Sequence, residues 1–385
     1  MAAKNDDQIV QMRETLGGYL GQDWRYSLPP QFYTSRDFLE FETEELLRRE
    51  WLCLGRADEV PEPGDYYTIE MLDEQLLVVR GDDRKLRVLS NVCRHRGMLV
   101  AQGNSAEQGR ARQFVCPYHA WSYDREGGLK RAPMMDPALQ LNRKTCRLPE
   151  LNSEIWQGFL YVNIDGEAEP LAPRLTGLDE VLANYHSDEM HHVFVAEEVW
   201  DANWKCLVEN FMEGYHLSMV HPQTLGGRTP TQLCEKLPAG EGYTGYRANY
   251  PEDAPFRGRC HADLTARERG CSTLFSIFPC QVVSQASDIL VYMALQPAGV
   301  DKVRIRWGAA LYDAGMSPDE VQSRLDLWRE INAEDRAKLA CVQAGLKSRH
   351  AAPGPLAPDD YEGTIWDFYQ YLAGRLGLSA EHAVA

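Results

Sequence analysis

Residues 91–97 read NVCRHRG and residues 114–121 read FVCPYHAW, and these two short stretches decide what the first half of the chain can be. Each follows a run of β-forming residues and sets a cysteine and a histidine on one tight turn, as Cys93-x-His95 and Cys116-x-x-His119. Two such turns can converge on one centre. Two thiolates with two imidazoles suit either a structural zinc ion or a two-iron, two-sulfur cluster in which histidines replace cysteines on one iron. Zinc modules usually keep like ligands together, whereas here every pair mixes Cys with His. The mixing suits a cluster whose one iron takes a Cys from each turn and whose other iron takes a His from each. Two imidazoles in place of two thiolates also remove negative charge, which raises the reduction potential and makes the centre an electron acceptor.

The flanking sequence is hairpin-rich. YYTIE (66–70), EQLLVVR (74–80), the turn GDDRK (81–85) and LRVLSNV (86–92) read as strands and turns, as does FLYVNI (159–164). GEAEPLAP (166–173) reads as a linker, so the β module is placed at 46–165. Upstream, Ser35 caps a helix carrying Phe38, Phe41, Leu46 and Leu47. Residues 1–45 are expected to be a helical segment packing on a second domain at 166–385. In that domain VFVAEEVWDANW (193–204) and the apolar runs at 273–312 predict an antiparallel sheet, with helices at about 203–218 and 317–346. The fold class is α+β.

WKCLVENFMEGYHLSMVHP (204–222) carries the next group of chemically competent residues. On a helix Asn210, Glu213 and His216 fall along one side, and Pro222 frees His221 to turn back toward His216. Two histidines and one carboxylate are the usual face for non-haem ferrous iron with open positions for oxygen. The third ligand is sought in the helix that Ser317, Pro318 and Glu320 begin with a capping box. Its apolar stripe runs Val321, Leu325, Trp328, Asn332, Asp335, Leu339, Val342 and Leu346, so Asp335 is a carboxylate where burial is expected. A buried lone carboxylate costs several kcal/mol unless a cation offsets it. Glu334 is assigned to the flank, as a solvent ion pair with Lys338 at i+4.

Of 385 residues 44% are hydrophobic and 25% charged, a globular composition with room for two cores. The formal charge of -17 argues against a nucleic-acid partner. No apolar run reaches the length of a membrane span and no leader is read at the start, so a cytoplasmic location is expected. Ten scattered cysteines without a leader point to reduced thiols and metal ligands, with Cys53, Cys206 and Cys280 as core residues.

Taken in order, CRHRG, CPYHAW and ENFMEGYHLSMVH resemble the large (alpha) subunits of Rieske non-haem iron oxygenases, the ring-hydroxylating oxygenases, and the likeness extends through 33–56 and 156–164. The resemblance implies a Rieske [2Fe-2S] module inserted before a helix-grip-like (START/SRPBCC-type) catalytic domain. It implies that Cys93, His95, Cys116 and His119 hold the cluster and that His216, His221 and Asp335 hold mononuclear Fe(II). It makes Glu213 the acid bridging a cluster histidine of one subunit to an iron histidine of its neighbour, in a homotrimer, with Asn210 near the iron. Many members have Asp where Glu213 stands, Glu being common in the branch acting on quaternary amines and in some homotrimeric relatives, and Ala120 replaces a frequent Gly.

No Gly-rich dinucleotide fingerprint is present, so NAD(P)H electrons are expected through a separate reductase, with or without a ferredoxin. The implied activity is O2-dependent hydroxylation, dihydroxylation or demethylation of a small aromatic compound or methylated amine. The substrate pocket is sought after His221 and near Phe275, Phe278 and Gln285, which read equally well as core. The competing reading is an electron carrier or zinc-stabilised binding protein without mononuclear iron.

Overall fold

The computed structural model describes residues 2–22, 25–102, 109–136, 142, 144–255 and 259–378, with side chains from Asp7 onward. Backbone contacts divide it into two compact units, Cys53–Ala168 and a second made of Met1–Leu52 with Glu169–Ala385.

The first unit is built from short strands: β1 (Trp51–Arg56), β2 (Asp65–Met71), β3 (Glu74–Arg80), β4 (Leu86–Ser90), β5 (Gly109–Arg110), β6 (Phe114–Val115), β7 (Ser122–Tyr123), β8 (Leu129–Arg131), β9 (Glu150–Trp156) and β10 (Phe159–Asn163). Seven form one sheet in the order β1-β10-β9-β4-β3-β2-β5, and β6-β7-β8 form another. The β2–β3 hairpin turns on two residues, Leu72 and Asp73, both left-handed at φ 47° and 70°. Such a turn matches the right-handed twist of the strands it joins. Leu77, Leu89, Phe114, Trp121, Tyr123 and Leu148 make the core, and Cys93 and Cys116 lie within it.

The second unit begins with α1 (Ala2–Gly17), α2 (Gln31–Thr34) and α3 (Arg36–Glu42), the last capped by the Ser35 hydroxyl, which accepts the Phe38 amide at 3.2 Å. It resumes with α4 (Thr176–Leu182), β11 (His191–Trp200), α5 (Trp204–Met212), α6 (Leu217–Val220), β12 (Cys234–Lys236), β13 (Tyr243–Asn249), α7 (Ala266–Arg269), β14 (Cys271–Ile277), β15 (Gln281–Gln285), β16 (Ile289–Pro297), β17 (Val303–Leu311), α8 (Pro318–Leu346) and α9 (Asp359–Leu376). Its seven strands pair antiparallel in the order β11-β17-β16-β15-β14-β13-β12. Helix α5 packs across β14–β16, α8 lies against β11 and α5, and α9 against β12, β13 and α1.

Two expectations change and one open alternative closes. The helix foreseen over 203–218 stops at Met212: Glu213 is extended (φ -118°, ψ 145°) and a separate turn of helix starts after His216. On α8, Leu325, Asn332, Asp335 and Leu339 are buried as the stripe requires, but Val342 is exposed and Gln343 takes the buried place beside it. Gln343 is held there by the Asn203 amide, which its side-chain oxygen accepts at 2.7 Å, so a polar partner overrides the apolar preference. Phe278 packs as core, its ring 4.6 Å from Tyr371 and 5.6 Å from Phe368 on α9, while Gln285 is occupied by hydrogen bonds with Ser187 and the Ala286 carbonyl. The ten cysteines, all among the described residues, are free.

Candidate metal centres

The two Cys-His turns share one backbone design. The Cys93 amide donates to the Met98 carbonyl at 2.8 Å and the Gly97 amide to the Cys93 carbonyl at 3.1 Å. Cys116 repeats both bonds at the same spacing, with Trp121 at 2.8 Å and Ala120 at 3.0 Å. The fifth residue of each turn is left-handed, Gly97 at φ 72° and Ala120 at φ 57°. This explains the preference for Gly after the second histidine, and it shows that Ala120 fits the turn at some steric cost.

The turns bury the thiols and expose the rings. Cys93 and Cys116 are 3% and 2% accessible, whereas His95 and His119 face solvent with their Nδ1 atoms 3.1 Å apart. Two nitrogens at that separation are placed as two ligands of one metal, each about 2 Å from it. The Cys93 sulfur lies 3.3 Å from the Tyr123 hydroxyl, which also accepts the Arg94 amide at 3.1 Å. Among the described residues, ligand atoms fall within 4.8 Å of one another in groups of three only at His216, His221 and Asp335 and at His186, His261 and Asp263. The Cys93, His95, Cys116 and His119 donors divide into an exposed pair of facing ring nitrogens and a pair of thiols set in the core, the division that a binuclear group with two histidines on one iron and two cysteines on the other would use.

In the other unit the break after α5 sets the second constellation. Gly214 has no room for a side chain: a Cβ there would stand 2.4 Å from the Cys234 sulfur. The backbone groups freed at the end of α5 are taken up by α9, since Thr364 donates to the Met212 carbonyl and the Gly214 amide to the Tyr361 carbonyl at 3.0 Å. Glu213 then folds back over the next turn. Its carboxylate accepts the amides of Tyr215 and His216, the latter at 3.0 Å, and meets His216 Nδ1 at 2.5 Å.

Both imidazoles aim Nε2 at one oxygen of Asp335, His221 at 3.1 Å and His216 at 3.7 Å, with ring centroids 5.2 Å apart. That oxygen is buried and has no hydrogen-bond partner. An orphaned carboxylate oxygen faced by two ring nitrogens fits a divalent cation held by all three. The remaining nitrogen of each ring is fixed by a glutamate: Glu213 on His216, and Glu334 on His221 at 2.7 Å. Such carboxylate partners set the tautomer that turns the free lone pair to a metal.

Glu334 corrects the solvent-pair reading, because it turns inward and also accepts the Thr224 hydroxyl at 2.7 Å. Its position next to Asp335 was the one available signal; its partner is 113 residues away. Burial pulls the His221 imidazole down, but Asp335 and Glu334 together raise it above the usual value. A cation on Nε2 would take the place of that proton. Asn210 lies one turn before Glu213 with its Nδ2 buried and unpartnered, and Asn332, one turn before Asp335, has both amide atoms in that state.

The sequence matches the Rieske [2Fe-2S] domain over residues 50–151 and the ring hydroxylating alpha subunit (catalytic domain) over residues 180–378. It is 26% identical over 342 residues to the carnitine monooxygenase oxygenase subunit of Escherichia coli K12, covering 84% of this chain and 85% of that one. It is 31% identical over 405 residues to the biphenyl 2,3-dioxygenase alpha subunit of Rhodococcus jostii RHA1, covering 90% and 86%. In fold it is similar to a quaternary ammonium Rieske monooxygenase, CntA, with a TM-score of 0.82 at 23% identity over 94% of this chain and 98% of that one. With its paired Cys-His turns in one unit and its two-histidine, one-aspartate face in the other, the chain belongs to the Rieske-type ring-hydroxylating oxygenases, as the alpha subunit that carries a [2Fe-2S] cluster and a mononuclear iron.

Proposed function

We propose that this terminal oxygenase works as a monooxygenase on a small methylated or quaternary amine, drawing NAD(P)H electrons through a separate reductase and assembling as a homotrimer. The observation that carries the reading is Glu213, a glutamate set 2.5 Å from His216 Nδ1 where many relatives have aspartate. Similarity over 84% of the chain to a carnitine monooxygenase oxygenase subunit supports it, as do matches over about half the chain to glycine betaine monooxygenase subunits. No helix of the described residues is long and apolar enough to cross a membrane.

In this reading Cys93, His95, Cys116 and His119 hold the cluster, and His216, His221 and Asp335 hold the iron. Bound there, the metals supply stored electrons and open coordination positions at which oxygen is activated. Glu213 keeps the His216 proton on Nδ1, so that Nε2 stays a donor, and presents its carboxylate as the link along which an electron from a neighbouring subunit arrives. Glu334 performs the same tautomer selection on His221. The Asn332 amide and the Asn210 Nδ2 are polar groups without intramolecular partners, available to a substrate or to water.

The 31% identity to a biphenyl dioxygenase alpha subunit favours an aromatic substrate as the second reading. Oxygen uptake with a surrogate reductase separates the two. Carnitine and glycine betaine are expected to drive uptake with stoichiometric product; coupled turnover of biphenyl alone would reverse the assignment.

A further inference from the structure

Of ten histidines in the chain, four serve the two centres above, and two of the remainder stack on each other elsewhere in the catalytic unit. His186 lies between α4 and β11 in a left-handed conformation (φ 48°, ψ 53°), and His261 lies in the loop before α7. Their ring centroids are 3.8 Å apart with planes 31° from parallel. A carboxylate stands at each edge of the pair.

At one edge, an oxygen of Asp263 is 2.9 Å from His186 Nε2 and 3.6 Å from His261 Nδ1. At the other, Glu189 reaches His186 Nδ1 at 3.8 Å and His261 Nε2 at 4.0 Å, which is ion-pair range. We infer that His186, His261 and Asp263 form a second, independent binding site for a divalent cation of the zinc type, with Glu189 as the carboxylate behind both rings. Three donors from three residues lie within 4.8 Å of one another, the requirement for one small ion. Histidines that bind metal commonly give their other ring N–H to a carboxylate, and here one glutamate faces both.

The frame is built without the cation. Asn184 donates to both oxygens of Glu268 at 3.1 and 3.2 Å, and Glu268 closes a capping box with Thr265. The chain on either side of the site is thereby fixed. The Asp263 amide donates to His261 Nδ1 at 3.2 Å, the contact that a cation would displace. Two guanidiniums lie close by and both are engaged: Arg259 pairs with Asp313 at 3.0 Å, and Arg269 donates to the Ala262 carbonyl at 3.1 Å. A metal here would clip the loop before α7 to the turn before β11, apart from the reaction centre.

The test uses the holoenzyme with both iron centres loaded, titrated anaerobically with zinc chloride by calorimetry while released iron is measured. One zinc per chain is expected to bind without iron release and to raise the unfolding midpoint. His186→Ala and His261→Ala should each abolish that binding, and Glu189→Gln should weaken it 10- to 100-fold. Cobalt added in place of zinc should give visible absorption that the two alanine variants lack. Zinc binding of equal strength in the doubly substituted His186→Ala, His261→Ala protein, or binding only with loss of iron, would overturn the site. Should either alanine variant fail to fold, Glu189→Gln decides alone: undiminished zinc affinity refutes the assignment.

Discussion

In the proposed iron site, Glu213 and Glu334 would do for His216 and His221 what no ligand can do for itself, deciding which ring nitrogen carries the proton. Glu334→Ala removes the acceptor from His221 Nδ1 and leaves the Thr224 hydroxyl without its partner. The expected result is a 10- to 100-fold loss of iron affinity in an anaerobic iron titration, with the cluster spectrum unchanged. Glu213→Gln keeps the turn, because its amide oxygen still accepts the Tyr215 and His216 N–H groups, but it sets an NH2 against His216 Nδ1 and so weakens the iron site as well. The cluster should persist in that variant, and with iron loaded to the wild-type level single-turnover oxidation of the cluster should slow; an undiminished rate would remove Glu213 from the electron path.

At the scale of elements, the joint between α5 and α6 is where sequence and structure part. The capping box of α8 and the burial of Asp335 could be read from residues 317–346 alone, since a carboxylate on an apolar stripe has a local signature. The break at Glu213 has only a weak one, the Gly214 that follows it. ENFMEGYH continues the helical pattern, and what ends the helix is distant: the Cys234 sulfur crowding Gly214, and Thr364 and Tyr361 of α9 holding the freed backbone groups. Glu334 was missed for the same reason, as its meaning depends on His221 rather than on its own helix.

The crowding at this joint is testable. Gly214→Ala places a methyl 2.4 Å from Cys234 Sγ and should cost about 1–3 kcal/mol in denaturant unfolding. Removing the sulfur in Gly214→Ala, Cys234→Ala should recover most of it. No recovery would mean that the backbone at 214, and not the neighbour, sets the requirement.

The whole molecule adds a pH dependence and a test of the proposed homotrimer. Burial raises the Glu209 carboxyl from 4.5 to about 7, against the hydrogen bond it accepts from Tyr33 at 2.7 Å. Between those values the native state keeps a proton that the unfolded chain has released. The stability from this group is therefore complete below 4.5 and is lost as pH rises through about 7. Glu209→Gln should flatten the fall in unfolding free energy across that window, by at most about 3 kcal/mol; parallel curves for the two proteins would assign the dependence elsewhere.

For the assembly, His95→Ala and Asp335→Ala chains should each be inactive alone, one lacking the cluster and the other the iron. Co-expressed into mixed trimers they should regain turnover, because electrons would pass from one chain's cluster to its neighbour's iron. Continued inactivity of verified mixed trimers would confine transfer to a single chain.

The place of α9 in this design bears on how the protein is made. The residues that shape and hold the cluster turns lie within Cys53–Ala168, so that unit can fold while the remainder is still being synthesised. The iron face cannot, because Tyr361 and Thr364, which secure the bend at Met212–Gly214, lie downstream of every residue proposed to hold the metal. On the proposed ligand assignments, synthesis would impose a calendar on maturation: the cluster turns would be complete early, and the iron face only once α9, translated after the ligands themselves, had docked.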